Sequence, residues 1–72
     1  MPLAKWPPKV GKTYNVSDSR KGNYTGKCVS ASGEWATFII VSGVAVFLTD
    51  DDRTVGDEVM ARQQQCTLVL VS

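Results

Sequence analysis

The sequence predicts an all-β domain, a small barrel or sandwich built from short antiparallel strands. Runs rich in β-branched and aromatic residues recur at a spacing of about ten residues, and turn-forming residues separate them. No segment shows the period of an amphipathic helix. Several runs are apolar on both faces, although one face of a single small sheet would normally contact water. The chain of 72 residues must therefore close its sheet or cover it with a neighbour.

The most apolar run, residues 34–48, is predicted to form the two central strands. Because glycine adopts a positive φ without a Cβ clash, Gly43 suits a tight reversal, and we expect a turn at residues 42–43. Side chains alternate between the two faces of a strand. Ala36 and its alternate neighbours would therefore face one way, and Trp35 with its alternate neighbours would face the other.

We predict four further strands, at residues 10–16, 24–30, 55–62 and 66–71. The total is five to six short strands. Residues 17–23 are expected to form a loop, because Asp, Ser, Asn and Gly form local turns more readily than ladders. An acidic turn at residues 50–53 and a polar break at residues 63–65 separate the later strands.

Residues 1–9 are predicted to form an extended arm, and residues 10–72 a single barrel domain. Pro7 and Pro8 resist both a helix and a central strand. Trp6 is the largest apolar side chain of the arm. Two interpretations stay open: a terminal tail that is pinned if Trp6 docks on the barrel, and an arm that a partner recognises through Trp6 and the prolines.

The formal net charge is only +1, but the charges are segregated along the chain. Only Asp18 opposes the basic residues of the first third, which are Lys5, Lys9, Lys12, Arg20, Lys21 and Lys27. The acidic residues cluster later, at Asp50, Asp51, Asp52, Asp57 and Glu58. A chain with a basic and an acidic end suits a protein partner as well as a polyanion. Two solvated loops are the alternative.

The residue types exclude the usual catalytic and metal sites. The chain has no His, and Cys28 with Cys66 cannot complete a tetrahedral zinc site. Three adjacent aspartates do not have the alternating ligand spacing of a calcium loop. We therefore expect no enzyme activity, metal or cofactor, and two free buried thiols rather than a disulfide.

The N-terminal residues lack the apolar segment of a signal peptide. No run reaches the ~20 apolar residues that a membrane span needs. We therefore expect a cytoplasmic protein with reduced thiols and no membrane partner.

One half of the chain carries a recognisable arrangement of strands and turns. Its residues are Val10-Gly11-Lys12-x-Tyr14-x-Val16, the loop 18–23, Tyr24-Thr25-Gly26-Lys27-Cys28-Val29 and, after a turn, Glu34-Trp35-Ala36-Thr37-Phe38. This pattern resembles the small SH3-like barrels of the KOW and related nucleic-acid-binding type. The resemblance implies a bend of the second strand at Gly26 and a ligand face on the first three strands. The acidic residues 50–52 depart from the pattern and would weaken phosphate binding if they lay on that face.

An OB-like barrel is the alternative all-β architecture for these strands. It is disfavoured because no helix-forming stretch separates the middle strands.

A barrel that binds nucleic acid would present aromatic rings that stack bases, flanked by cations that neutralise phosphate. The residues available for such a ligand face are Tyr14, Arg20, Lys21, Tyr24, Lys27 and Trp35. The alternative is that the aromatic residues belong to the core or its rim, with their polar tips reaching water.

The sequence predicts a non-enzymatic binding module and favours nucleic acid as its ligand. The alternative is a protein-interaction module, such as a phage- or plasmid-encoded accessory or inhibitor protein that docks on a host complex. A structural subunit that assembles through strand edges is a third interpretation. The apolar residues on both strand faces also predict a homodimer that covers the surplus apolar surface.

Overall fold

Five antiparallel strands form a single sheet in the computed structural model, which describes residues 3–46 and 52–71. The strands are β1 (Thr13–Asp18), β2 (Gly22–Ser32), β3 (Trp35–Gly43), β4 (Glu58–Arg62) and β5 (Cys66–Leu70). A short 3-10 helix, Gln63–Gln65, connects β4 to β5. No α-helix occurs in the two described ranges, and the prediction of an all-β protein with five to six strands is confirmed.

The strand order in the sheet is β4-β3-β2-β1-β5. The first four strands follow one another as neighbours, and β5 returns to pair with β1. Tyr14 on β1 therefore lies opposite both Gly26 on β2 and Leu70 on β5. The two edge strands, β4 and β5, are consecutive in the chain and only the 3-10 helix separates them.

The core consists of alternate residues from all five strands, as the period of two requires. Its largest fully buried side chains are Phe38, Ile40, Val16, Val59 and Cys28. Ala36, Phe38 and Ile40, which were predicted to share one face of the central strand, are all buried. The opposite face remains open to solvent, since Trp35 is 40% exposed and Val41 46% exposed.

The predicted turn at residues 42–43 is wrong. β3 continues through Gly43, which pairs with Tyr24 of β2. The φ of Gly43 is +90°, and a Cβ atom there would lie 3.2 Å from the Cα of Tyr24, so the glycine permits a close approach between two strands. The strand expected after the turn is reduced to one bridge, between Ala45 and Arg53, in the described ranges. Residues 47–51, with the rest of that strand and the first half of the acidic turn, lie outside the described residues.

Residues 17–23 form a shorter connection than predicted. β1 extends to Asp18 and β2 begins at Gly22, so only residues 19–21 form the turn. The strands predicted around residues 24–30, 55–62 and 66–71 are present with shifted ends.

The arm docks on one end of the sheet through three hydrogen bonds. The Ala4 N–H donates to the Leu68 carbonyl at 2.7 Å, and the Trp6 Nε1–H donates to the Gly33 carbonyl at 2.8 Å. The Lys9 N–H then donates to the Tyr14 hydroxyl at 2.8 Å. The arm therefore leads from β5 to the β2–β3 turn and back to β1.

Candidate functional site

Two of the six predicted ligand residues, Tyr14 and Tyr24, are buried in the core. Each is 4% exposed. The Tyr14 ring packs edge-on against Phe38, with 6.2 Å between the ring centroids and an interplanar angle of 82°. Burial and, to a lesser degree, the nearby Asp18 carboxylate raise the pKa of the Tyr24 hydroxyl far above its usual range. Their ring faces are therefore closed to a stacking base. For these two residues the structure agrees with the alternative that places the aromatic side chains in the core.

Lys21 belongs to the β1–β2 turn and contacts the protein itself. Asp18 is buried, and its Oδ1 accepts hydrogen bonds from the N–H groups of Arg20 at 2.8 Å and Lys21 at 3.1 Å. An aspartate at the start of a turn commonly satisfies the turn's donors in this way. The Lys21 ammonium lies 3.9 Å from Asp18 Oδ2 and donates to the Met60 carbonyl. Lys21 thus holds the turn in place, while Arg20 at its tip is exposed.

The free edge of β4 is capped by side chains from the other end of the sheet. Met60 and Arg62 lie two residues apart, so their carbonyls project from the same edge. Lys21 donates to the first carbonyl, and the Cys66 thiol donates to the second at 3.2 Å. Burial raises the pKa of the Cys66 thiol, which keeps it protonated as a donor. Cys66 and Cys28 are both free thiols, as predicted.

Trp35 lies on the outer face of the sheet, opposite Arg62 of β4. The Arg62 guanidinium carbon is 5.7 Å from the centroid of the Trp35 ring. Its Nη2 also donates to Glu34 Oε1 at 3.1 Å. The exposed side chains of Met60 and Val41 and the half-buried side chain of Ile39 lie on the same face, and we define the outer patch as Trp35, Ile39, Val41, Met60 and Arg62.

The six predicted residues do not converge on one surface. Trp35 pairs with Ser32 at one end of β2, whereas Arg20 lies beyond Gly22 at the other end. Lys27 is exposed between them, in the middle of β2. Since β2 has 11 residues, its ends are too far apart for one ligand group to contact both.

Three lysines outside the predicted set line a groove between the arm and β1. Lys5, Lys9 and Lys12 contribute the positive charge of this groove, whose volume is about 540 Å³. The Lys12 N–H donates to the Lys9 carbonyl at 3.2 Å, and Gly11 has a φ of +92° between them. This tight turn places Lys9 and Lys12 side by side. We name this feature the arm groove.

The sequence contained one signal for the arm groove, the run of lysines in its first third. It gave no reason to separate these lysines from Lys21 or Lys27. The groove exists because Leu3 and Leu70, from opposite ends of the chain, lie on the same side of the sheet.

No family model, curated protein or solved structure matches this chain. Within residues 3–46 and 52–71, no group of three or more His, Cys, Asp or Glu side chains could hold a metal ion. No helix in those ranges is both long and apolar enough to cross a bilayer. The candidate surfaces of the described chain are therefore the outer patch, the exposed cations and the arm groove.

Proposed function

We propose that this chain is a non-enzymatic SH3-like barrel that binds another protein through the outer patch. Support for closure of the sheet comes from β4. In a flat sheet of this order, β4 and β5 would be separated by about 19 Å, four strand spacings. Cys66 of β5 and Lys21, which follows β1, nevertheless both reach carbonyls on the free edge of β4. Strong curling of the sheet accounts for these two contacts.

One observation carries the proposal of a protein partner: an exposed tryptophan is held by an arginine that is itself held by a carboxylate. Tryptophan and arginine are the side chains most enriched among residues that dominate binding energy at protein interfaces. The Glu34–Arg62 ion pair and the Arg62–Trp35 contact fix both side chains before binding. Less side-chain entropy is then lost when a partner covers them.

The experiment compares the wild-type protein with Trp35→Ala. The matched control is Val55→Ala, which removes an exposed apolar side chain outside the outer patch. Sedimentation of the isolated protein detects a partner that is a second copy, and affinity capture with quantitative mass spectrometry detects any other. Loss of a dominant interface residue weakens binding by about 30-fold.

We expect that loss for Trp35→Ala and wild-type binding for Val55→Ala. If every bound protein, a second copy included, is retained equally by the two variants, the proposal is wrong.

Nucleic acid is the second candidate ligand, favoured by the exposed cations on the arm, directly before β1 and on β2. Lys9, Lys12 and Lys27 have exposed side chains, and Lys27 pairs with Thr13, the residue that follows Lys12. Lysines that bind phosphates release counterions, so affinity should fall steeply with salt. Titration with single-stranded and duplex oligonucleotides at two salt concentrations tests this candidate. Absence of binding at low salt would exclude it.

A further inference from the structure

The ammonium groups of the arm groove are available to an external anion. Lys5, Lys9 and Lys12 are exposed, and their side chains make no hydrogen bond or ion pair with any described residue. Among the described residues, no acidic side chain lines the groove. Three positive charges therefore face one cavity without an opposing charge in the described part of the chain. Such a concave surface attracts an acidic ligand.

The remaining surface of the groove is aliphatic. Leu3 is 64% exposed and Leu70 is 47% exposed, and Pro7 lies beside them. Of the described residues in the lining, Tyr14 alone is aromatic, and its ring is buried while its hydroxyl accepts the Lys9 N–H. A nucleic-acid base would find no ring on which to stack. An aliphatic side chain would instead lose apolar surface to water by binding there.

Both walls of the groove are fixed before any ligand arrives. The hydrogen bonds from Ala4 to Leu68 and from Trp6 to Gly33 hold the arm. The bond from Lys9 to Tyr14 holds the end of the arm against β1, and the turn from Lys9 to Lys12 places Lys12 beside it. A preformed groove binds with a smaller loss of conformational entropy than a mobile tail.

We propose that the arm groove binds an extended acidic peptide segment of another protein, with apolar side chains between its carboxylates. The carboxylates pair with the three lysines, and the apolar side chains contact Leu3, Pro7 and Leu70. The groove volume lies in the usual range of ligand sites. This site shares no residue with the outer patch, so it adds a second binding surface to the proposed function.

The experiment measures the fluorescence anisotropy of a labelled short peptide whose sequence repeats two glutamates followed by one leucine. Three unlabelled competitors separate the contributions: the same peptide, a version with serine at each leucine, and an oligothymidylate of equal length. The test variant is Lys9→Gln with Lys12→Gln. The control is Val55→Glu with Gln64→Glu, which changes the net charge equally at exposed sites outside the groove. Circular dichroism checks that both variants fold.

We expect the glutamate–leucine peptide to bind, and the test variant to lose about fivefold or more in affinity while the control loses much less. The serine version should compete more weakly, because it leaves the aliphatic surface exposed. Equal competition by the serine version, tighter binding of the oligothymidylate, an equal loss in both variants or no binding of the peptide would each overturn the proposal. None of these outcomes decides the proposed function, because that proposal is tested separately by the effect of Trp35→Ala on binding through the outer patch.

Discussion

A Cβ atom on Gly26 would lie 2.9 Å from the Cβ of Phe38, closer than side-chain atoms approach in proteins. Gly26 of β2 pairs with Ile40 of β3, so Phe38 lies diagonally across from it, and the register shifts between Thr25 and Gly26. Gly26→Ala must therefore displace the largest fully buried side chain of the core or move the strand. We expect the free energy of unfolding, measured in urea, to fall by about 1–3 kcal/mol.

The control for this substitution is Gly33→Asn. The space around Gly33 is open, and asparagine tolerates its φ of +58° better than most residues. The free energy of unfolding of Gly33→Asn should fall by less than about 1 kcal/mol. Equal losses for the two variants would mean that β2 can move away from Phe38.

Asp18 provides a second test of stability, in the β1–β2 turn. Its Oδ1 accepts two backbone N–H bonds, and its side chain is fully buried. Asp18→Ala leaves both donors without this acceptor, and we expect a loss of about 1–3 kcal/mol in urea unfolding. Asp18→Asn keeps an oxygen at the same position and should lose less. An asparagine variant as unstable as the alanine variant would assign the effect to the charge pair with Lys21.

Most strands, and the division of their residues between two faces, could be predicted from sequence because side-chain alternation depends on neighbouring residues alone. Which face of β3 is buried could not be predicted, because both faces are apolar; the structure buries Phe38 and Ile40 and leaves Trp35 exposed. The prediction of a turn at residues 42–43 was wrong because a glycine is favoured in two different structural settings. A positive φ at Gly43 permits a reversal or a close approach to Tyr24, and only the pairing partner distinguishes them.

The candidate site could not be predicted in the same way. Tyr14 and Tyr24 alternate with polar residues, a pattern that fits an aromatic row facing either the core or a ligand. The arm groove depends on Leu3 and Leu70, and nothing in their local sequence indicates that they lie together. Contacts between distant segments decide both features.

Trp6 tests whether the arm depends on its docked aromatic ring. Trp6→Ala removes the hydrogen bond to the Gly33 carbonyl and the packing of the ring against the core. We expect the arm to detach, and the amide of Ala4, which donates to Leu68, to lose protection from hydrogen exchange. Trp6→Phe keeps much of the packing and should retain part of the protection. Unchanged protection in the alanine variant would show that the backbone bonds alone hold the arm.

Tyr24 predicts how stability changes at alkaline pH. Burial raises the pKa of its hydroxyl in the folded state, whereas the unfolded chain ionises at a pKa of about 10. The stability that this group contributes is therefore complete below pH ~10 and is lost as the pH rises further, at up to about 1.4 kcal/mol per pH unit. Tyr24→Phe removes this dependence. Near neutral pH the free energy of unfolding of the variant should lie within about 1 kcal/mol of that of the wild type, since the buried hydroxyl bonds to no described residue.

Urea titrations of both proteins from pH ~7 to ~11 measure the difference between their stabilities at each pH. Burial also raises the pKa values of Cys28 and Cys66, but both proteins contain these thiols, so the difference isolates Tyr24. The free energy of unfolding of Tyr24→Phe should rise relative to that of the wild type only above pH ~10, the pKa of tyrosine in the unfolded chain. Stability curves that stay parallel over the whole range would mean that the Tyr24 hydroxyl ionises as readily in the folded protein as in the unfolded chain, which is incompatible with its burial beside Asp18.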